Sequence, residues 1–275
     1  MEWQGRMCIV SGSYQSIDSN VPKTVVELWC RAEDGHSVVL LVHGLRPYFD
    51  IAIPGAPRPE QDPDLESVSG MGEVVEVSDP VMKWTRHGMK RHWRVYANQP
   101  YSVRNLRKKL DNWEITSADI PFQNRLMLDL DLGPHINARG EVLWAGERAP
   151  DSVKNSSNTD PSLAEEIVLK DGGSGIYPVD MIVSCNLEGL SRTEPFPAPF
   201  VTFSFDLETS IATNRILCAA AVIDRAGKRS EHQFRGEEKE IMEGLTALVR
   251  EQDPDFITGY NIDNFDLPRM QERAE

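Results

Sequence analysis

The sequence predicts an α+β amino-terminal region, with antiparallel sheets and short helices, followed by the beginning of an α/β domain. Before about residue 195, short runs of alternating apolar and polar residues are separated by turn-prone Gly, Pro, Asn and Asp, which is typical of antiparallel strands. From residue 200 onward the apolar patterns follow the order strand, strand, helix, strand, helix. We therefore predict two domains, 1–195 and 196–275.

The amino-terminal elements are short. Alternation and β-branched residues predict strands over the following ranges: 7–10, 24–30, 37–43, 73–77 and 92–97. A basic helix is predicted over 102–112, because Val103, Leu106 and Leu110 recur at helical spacing on one side. The stretch 54–72 is rich in Pro, Gly and acidic residues and is predicted to be a loop that holds a short helix at 62–68.

Residues 133–199 are rich in Gly, Pro, Ser and Asn, which indicates a boundary region that holds some ordered hairpins. Short strands are predicted within it at 143–145, 166–169 and 180–183. The run DGGSG at 171–175 lacks the Gly-Lys-Ser/Thr that completes a phosphate-binding loop, so we expect a flexible loop there.

The carboxyl-terminal elements are longer and more apolar. Strands are predicted over 200–210, 215–224 and 255–261. A helix is predicted over 237–253, and a further helix begins at 264. In the first helix four apolar residues share one face: Ile241, Leu245, Leu248 and Val249.

Composition limits the class of protein. The 275 residues are 40% hydrophobic and 26% charged, as in ordinary globular proteins, and four cysteines are scattered without a Cys-x-x-Cys pair. No apolar run approaches the roughly 18 residues that span a bilayer, and the amino terminus has no apolar signal core. We therefore expect a cytoplasmic protein with no membrane partner.

The net charge of −14 argues against nucleic acid as a partner, but the charge is unevenly distributed. The segment 83–110 carries nine Lys and Arg residues and no Asp or Glu. Aromatic residues are interleaved with these cations: Trp84, Trp93, Tyr96 and Tyr101. Cations hold phosphates and aromatic rings stack on bases, so the segment is a candidate nucleic-acid surface. Composition alone equally allows a solvated basic face whose positive charge offsets part of the negative charge of the rest of the protein.

A pair of carboxylates interrupts the apolar strand FSFDLETS at 203–210. Because strand residues two apart share a face, Asp206 and Glu208 are predicted to point away from Phe203, Phe205 and Leu207. Like charges so placed repel each other. Either the face is solvated or paired with a Lys or Arg, or a divalent metal ion lies between the carboxylates.

Together with a later segment, this pair resembles a known motif set. Asp206 and Glu208, followed by Asn261, Phe265 and Asp266, are similar to the first two proofreading exonuclease motifs of family B DNA polymerases. The resemblance implies a ribonuclease-H-like α/β exonuclease domain, incomplete here. It further implies that Asp206, Glu208 and Asp266 are catalytic and hold two Mg²⁺ or Mn²⁺ ions, while Asn261 and Phe265 position the DNA 3′ end.

The amino-terminal part resembles archaeal members of the same family. The segments at 45–51, 103–110 and 119–125 are similar, in order and spacing, to the domain that precedes the exonuclease in those enzymes. There, a pocket captures uracil in template DNA and stalls synthesis. By resemblance this pocket would involve seven residues here: Tyr14, Pro47, Tyr48, Val103, Pro121, Phe122 and Arg125. Ordinary core packing is the alternative for Tyr48 and Phe122.

The resemblance also implies partners. These are single-stranded template DNA, the primer 3′ end, the remainder of the polymerase and, through its carboxyl-terminal part, a sliding clamp.

The third exonuclease motif and the polymerase palm would lie beyond residue 275, so the isolated chain is expected to be inactive. The alternative function is a non-catalytic single-stranded DNA-binding module derived from such a polymerase. A third interpretation is an unrelated acidic α/β protein that merely shares the Asp-x-Glu pair. In that case the three ordered motif matches in the amino-terminal half would have to be accidental.

Overall fold

The computed structural model of the protein describes residues 2–17, 23–53, 63–146 and 179–274. They form two compact units: unit 1 contains Met1–Cys30 and His36–Glu194, and unit 2 contains Arg31–Gly35 and Pro195–Glu275. The predicted strand at 166–169 and the predicted loop at 171–175 lie outside the described residues.

Unit 1 combines many strands with three short helices. Its strands are β1 (Glu2–Ile17), β2 (Lys23–Ala32), β3 (Ser37–His43), β4 (Tyr48–Ala52), β5 (Val74–Val77), β6 (Val81–Thr85), β7 (Gly88–Ala97), β8 (Ile115–Thr116), β9 (His135–Ala145), β10 (Met181–Asn186) and β11 (Leu190–Arg192). Its helices are α1 (Pro63–Ser69), α2 (Pro100–Lys109) and α3 (Phe122–Asp129). The predicted α+β class of this part of the chain is confirmed.

The first sheet has the strand order β1-β2-β3-β10-β9-β11, and β1 also pairs with β9, so the sheet closes on itself. The prediction of an antiparallel sheet needs correction, since β3 and β10 run parallel with Val39 opposite Ile182, whereas β9 pairs antiparallel with β1, β10 and β11. Strand β3 is buried along nearly its whole length, as expected of an apolar run inside a closed sheet.

The prediction for 133–199 is confirmed in part where the structure describes it, since the strands predicted at 143–145 and 180–183 coincide with parts of β9 and β10. Strands β9, β10 and β11 lie there, and β9 is much longer than the predicted 143–145. Gly140 contributed to the error, because glycine usually indicates a turn. In the sheet it instead permits close approach, since a Cβ there would lie 2.2 Å from the Ser184 carbonyl oxygen.

The second sheet of unit 1 has the order β5-β7-β4-β8, and β6 pairs with the outer part of β7. Helix α2 packs on it through Leu106, in a core that includes Phe49 and Trp93. Strand β4 escaped prediction because Asp50 interrupts its apolar pattern. That carboxylate is fully buried and is bound by Lys83 and by Arg94, whose Nε lies 3.0 Å from Asp50 Oδ1.

Unit 2 is a four-stranded sheet with two helices. Its elements are β12 (Val201–Thr209), β13 (Ile216–Arg225), β14 (Lys228–Arg235), α4 (Glu238–Gln252), β15 (Phe256–Thr258) and α5 (Asp266–Ala274). The sheet order is β14-β13-β12-β15, with β15 parallel to β12 and the other pairs antiparallel. Helix α4 covers the sheet with Ile241, Leu245 and Leu248, as its apolar spacing predicts.

Two predictions for unit 2 need correction. Strand β14 was not predicted, because its sequence KRSEHQFR is polar and mostly exposed, so it lacks an apolar pattern. The strand predicted over 255–261 ends at Thr258. After it, Gly259 lies so close to β12 that a Cβ would be 2.4 Å from the Phe205 carbonyl oxygen, and the chain turns there.

The first turn of α4 is tied to the last turn of α5. Arg273 donates to both carboxylate oxygens of Glu238, at 2.8 and 2.7 Å, and the Ile216 backbone N–H donates to Glu238 Oε1 at 2.8 Å. These donors, Arg273 first, lower the pKa of Glu238 to about 2. The carboxylate thus joins α4, α5 and the start of β13.

The depressed pKa predicts acid sensitivity of unit 2. Because the pKa of Glu238 is lower in the folded chain, its contribution to stability is complete above the unfolded value of about 4.3 and is lost as the pH falls toward 2. We expect Glu238→Gln to flatten the dependence of the urea midpoint on pH over this range. Glu251→Gln, on an exposed part of α4, is the control, and equal pH profiles for the two variants would contradict this role.

No helix in the described ranges is both long and apolar enough to cross a membrane.

Candidate functional site

The first candidate site lies on strand β12. Phe203, Phe205 and Leu207 are buried, whereas Asp206 and Glu208 are exposed. The predicted orientation of the two carboxylates is therefore confirmed. The burial of the three apolar side chains against the α4 core fixes the register, so both acids are held on the opposite face of the sheet.

Asp266 reaches the same strand from the first residue of α5. It is only 1% exposed, and its Oδ1 accepts a hydrogen bond from the Leu207 backbone N–H at 3.0 Å. Burial raises the pKa of Asp266, and the negative charge of Asp206 raises it further, against the lowering by the Leu207 N–H. The raised pKa of Asp266 thus reflects both its burial and the negative charge of Asp206.

The acidic residues on and beside β12 supply the kind of ligand that a divalent cation prefers. Within the described ranges, no group of three or more His, Cys, Asp or Glu side chains is arranged to hold a metal ion. The donor chemistry nevertheless fits, because carboxylate oxygens are the ligands of Mg²⁺ and Mn²⁺. The repulsion that raises the pKa of Asp266 is also the interaction that a cation between Asp206 and Asp266 would offset.

The turn between β15 and α5 delivers Asp266 to the strand. Asn261 adopts a left-handed conformation with φ of 58°, and its side-chain oxygen accepts a hydrogen bond from Asn264 Nδ2 at 3.0 Å. Ile262 is buried in the unit 2 core and anchors the turn. Phe265 is partly exposed, with the Arg269 guanidinium 5.7 Å from its ring centre. Asn261 thus shapes the turn, and Phe265 presents an accessible ring at the residue before Asp266.

The second candidate site is a cavity of about 600 Å³ in unit 1. The structure brings together around it all seven residues assigned to a pocket by resemblance: Tyr14, Pro47, Tyr48, Val103, Pro121, Phe122 and Arg125. They come from β1, the start of β4 with the residue before it, α2, and the start of α3. The cavity volume lies within the range of about 300–1,000 Å³ that is usual for small-molecule pockets.

Tyr48 is held more tightly than the sequence suggests. The guanidinium carbons of Arg94 and Arg125 each lie 3.8 Å from the centre of its ring. Two planar guanidiniums cannot share one face at this distance, so they cover both faces of the ring. The Tyr48 hydroxyl donates to Asp129 Oδ1 at 2.7 Å, and burial followed by this hydrogen bond raises the pKa of Tyr48. Tyr48 therefore lines the cavity with its edge.

Other residues that line the cavity are aromatic and aliphatic. Phe122 meets Tyr14 edge to face, with ring centres 5.4 Å apart. Phe122 and Val103 are nearly buried, whereas Tyr14 remains partly exposed. Tyr48 and Phe122 thus combine the two roles considered from the sequence, since both are packed in the fold and both line the cavity.

Further lining residues were not identified individually from the sequence. From α2 they are Pro100, Tyr101, Arg104 and Arg107. The basic segment 83–110 predicted this helix but did not indicate which of its side chains face the cavity.

The aromatic residues of the same segment differ in exposure. Trp93 is fully buried in the core, so it cannot serve as a stacking surface, whereas Tyr101 and Trp84 are exposed.

Comparisons with known proteins agree with the motifs. A family model described as the exonuclease domain of DNA polymerase family B matches residues 233–275, a range that contains Asp266. A DNA polymerase from Archaeoglobus fulgidus is 24% identical over 273 residues, which are 97% of this chain and 30% of the relative. The DNA polymerase delta catalytic subunit of Drosophila melanogaster is 26% identical over 310 residues, covering 92% of this chain and 27% of the relative.

A solved structure supports the fold. The family B DNA polymerase from Pyrobaculum calidifontis superposes on 98% of this chain and 32% of its own length, with a TM-score of 0.65 and 22% sequence identity. The chain thus spans about a third or less of the length of each of these proteins. The resemblance to family B DNA polymerases inferred from the motifs is confirmed.

Proposed function

We propose that this chain, a relative of the family B DNA polymerases, is the amino-terminal and exonuclease-domain region of such a polymerase and captures uracil of single-stranded template DNA in its unit 1 cavity. One observation carries the proposal. Residues from four separate segments, which resemblance alone assigned to a base pocket, converge around a single cavity.

The chemistry of the cavity suits a base on a strand. Val103, Phe122 and the two prolines offer apolar walls for an extruded pyrimidine. Arg104 and Arg107 on α2 place positive charge beside these walls, where the phosphates of the strand would follow. The volume exceeds that of a single pyrimidine, which leaves room for part of the sugar–phosphate backbone.

Uracil and thymine differ only by the C5 methyl group, so discrimination in this cavity would be steric. A base that fails to seat fully leaves polar edges unpaired, which adds to the penalty of the wrong base. Val103 is the side chain best suited to test this, because it is nearly buried on α2 yet lines the cavity.

We expect Val103→Gln to abolish the preference for uracil and to preserve general affinity for single strands. The longer polar side chain fills the cavity, while the cations that hold phosphates are unchanged. Binding would be measured with two oligonucleotides that differ by one uracil in place of thymine. Val75→Gln, at a position 62% exposed on β5, is the matched control. A Val103→Gln chain that still prefers uracil would refute the assignment of Val103 to the pocket.

The acidic site on β12 would serve the exonuclease, in a ribonuclease-H-like domain that this chain contributes in part. Asp206, Glu208 and Asp266 would hold divalent ions, Mg²⁺ or Mn²⁺. When bound, such ions activate a water molecule and stabilise the leaving 3′ oxygen. The chain's own contribution is to hold Asp206 and Glu208 on one face of β12 and Asp266 against the same strand, with the exposed Phe265 ring available for the primer 3′ end.

A further inference from the structure

The hairpin of β6 and β7 presents one open face. In its ladder Met82 lies opposite Arg91, and Trp84 lies opposite Met89. Cross-strand partners share a face, so these four side chains form a single surface, which we call the hairpin face. All four are exposed, and Trp84 is 80% exposed. A large aromatic ring kept this open on a basic hairpin is a candidate binding group.

The other side of the hairpin is anchored to the unit. Lys83 is bound to Asp50 and donates to the Ser117 hydroxyl, and Lys90 pairs with Glu114 at 3.3 Å. These contacts hold the inner side of the ladder, so the hairpin face is directed outward.

The cations of the hairpin differ in availability. Lys83 and Lys90 are engaged by carboxylates, whereas Arg86 and Arg91 are exposed and make no salt bridge within the part of the chain that the structure describes. Arg86 sits at the turn, where its Nε lies 3.0 Å from the His87 ring nitrogen. Two exposed guanidiniums therefore lie on the same hairpin as the exposed indole ring, Arg91 on the hairpin face and Arg86 at the turn.

We propose that the hairpin face binds single-stranded nucleic acid, with one base stacked on Trp84 and the adjoining phosphates held by Arg86 and Arg91. The proposal deepens the proposed function, because it assumes that the chain engages a DNA strand. It concerns a different surface, since none of these residues lines the unit 1 cavity.

Complementary chemistry favours this partner over an acidic peptide. Both would satisfy the two guanidiniums, but a base also supplies a flat π surface for the indole, and stacking of this kind tolerates any sequence. Met82 and Met89 border the ring with polarizable side chains that adapt to different bases.

The test measures affinity for a uracil-free oligonucleotide. We expect Trp84→Ala to weaken binding about tenfold or more, whereas Trp84→Phe keeps most of the affinity. The slope of log affinity against log salt should be unchanged by Trp84→Ala, because no charge is removed. Arg86→Gln combined with Arg91→Gln should reduce the magnitude of that slope by about 1.4. Val75→Ala, which truncates an exposed apolar side chain elsewhere in the same sheet, is the control.

The outcomes separate this surface from the cavity. Unchanged affinity of Trp84→Ala for the uracil-free strand overturns the proposal, whatever Val103→Gln does to uracil preference. Poly-glutamate that binds as tightly as the oligonucleotide, with the same dependence on Trp84, also overturns it and assigns the surface to an acidic protein. If Trp84→Ala loses the preference for uracil but still binds the uracil-free strand with full affinity, the proposal is also overturned, and Trp84 contributes to uracil recognition by the cavity instead.

Discussion

Replacing Asp206 and Glu208 together with alanine should reduce the 3′–5′ exonuclease activity of a full-length polymerase that carries this chain by at least about a hundredfold. Even residues that only support metal ligands typically contribute 10–100-fold, so the loss of two proposed ligands should exceed that range. Primer extension should be unchanged, since the resemblance assigns polymerisation to the palm and not to the exonuclease motifs. The measurement is release of nucleotides from a mismatched 3′ end in Mg²⁺ and in Mn²⁺.

Glu231→Ala is the control for this experiment, because Glu231 is an exposed carboxylate on β14 of the same sheet. A double variant that trims mismatches at the parent rate would show that Asp206 and Glu208 are not metal ligands. A parent that releases no nucleotides in either metal would favour the non-catalytic DNA-binding module.

The second large effect is on stability. We expect Asp50→Ala to lower the free energy of unfolding of unit 1 by about 3 kcal/mol, the low end for breaking a buried ion pair. Asp50 is fully buried, and its loss leaves Lys83 and Arg94 without their shared carboxylate. The estimate is at the low end because each cation side chain is 26% exposed and regains some hydration.

Urea unfolding measures this effect, with Asp79→Ala on the exposed loop before β6 as the control that should change stability by less than about 0.5 kcal/mol. Because Arg94 also stacks on Tyr48, the folded fraction of Asp50→Ala should bind uracil-containing strands with reduced preference. A loss of stability no larger than that of Asp79→Ala would show that the buried network is not a stabilising element.

Where local pattern and burial agree, the sequence is sufficient for prediction. The alternation around Asp206 and Glu208 predicts their shared face because Phe203, Phe205 and Leu207 must enter the core. The helical spacing of α4 likewise predicts its buried face. In both elements one side is buried against a single neighbouring layer, so the residue pattern carries the structural information.

Prediction fails where long-range contacts override local pattern. Strand β9 contains Gly140, and a Gly usually indicates a turn. In the structure Gly140 instead allows Ser184, which is distant in sequence, to pack closely against the strand. Strand β4 contains Asp50, and an Asp usually indicates a surface position. In the structure Asp50 is buried because Lys83 and Arg94 neutralise its charge. Ser184, Lys83 and Arg94 belong to other elements, so the local sequence pattern around Gly140 or Asp50 cannot predict these contacts.

The cavity shows the same limit at the level of a site. Resemblance gave the residues that line it, but the covering of Tyr48 by Arg94 and Arg125 depends on β7 and α3 meeting at one ring. The sequence marks the segment 83–110 as basic without showing that Arg94 is committed to Asp50 and Tyr48 while Arg86 and Arg91 remain exposed. Charge counts therefore indicate a binding segment but not its binding residues.

The most direct test of the account is the affinity of the unaltered chain for two oligonucleotides that differ only in one uracil or thymine, each titrated at low and moderate salt. The cavity account predicts tighter binding of the uracil strand, by a factor that salt leaves nearly unchanged because discrimination is steric, while both affinities fall steeply with salt. Equal affinity for the two strands at both salt concentrations would contradict it and leave only an electrostatic surface for DNA.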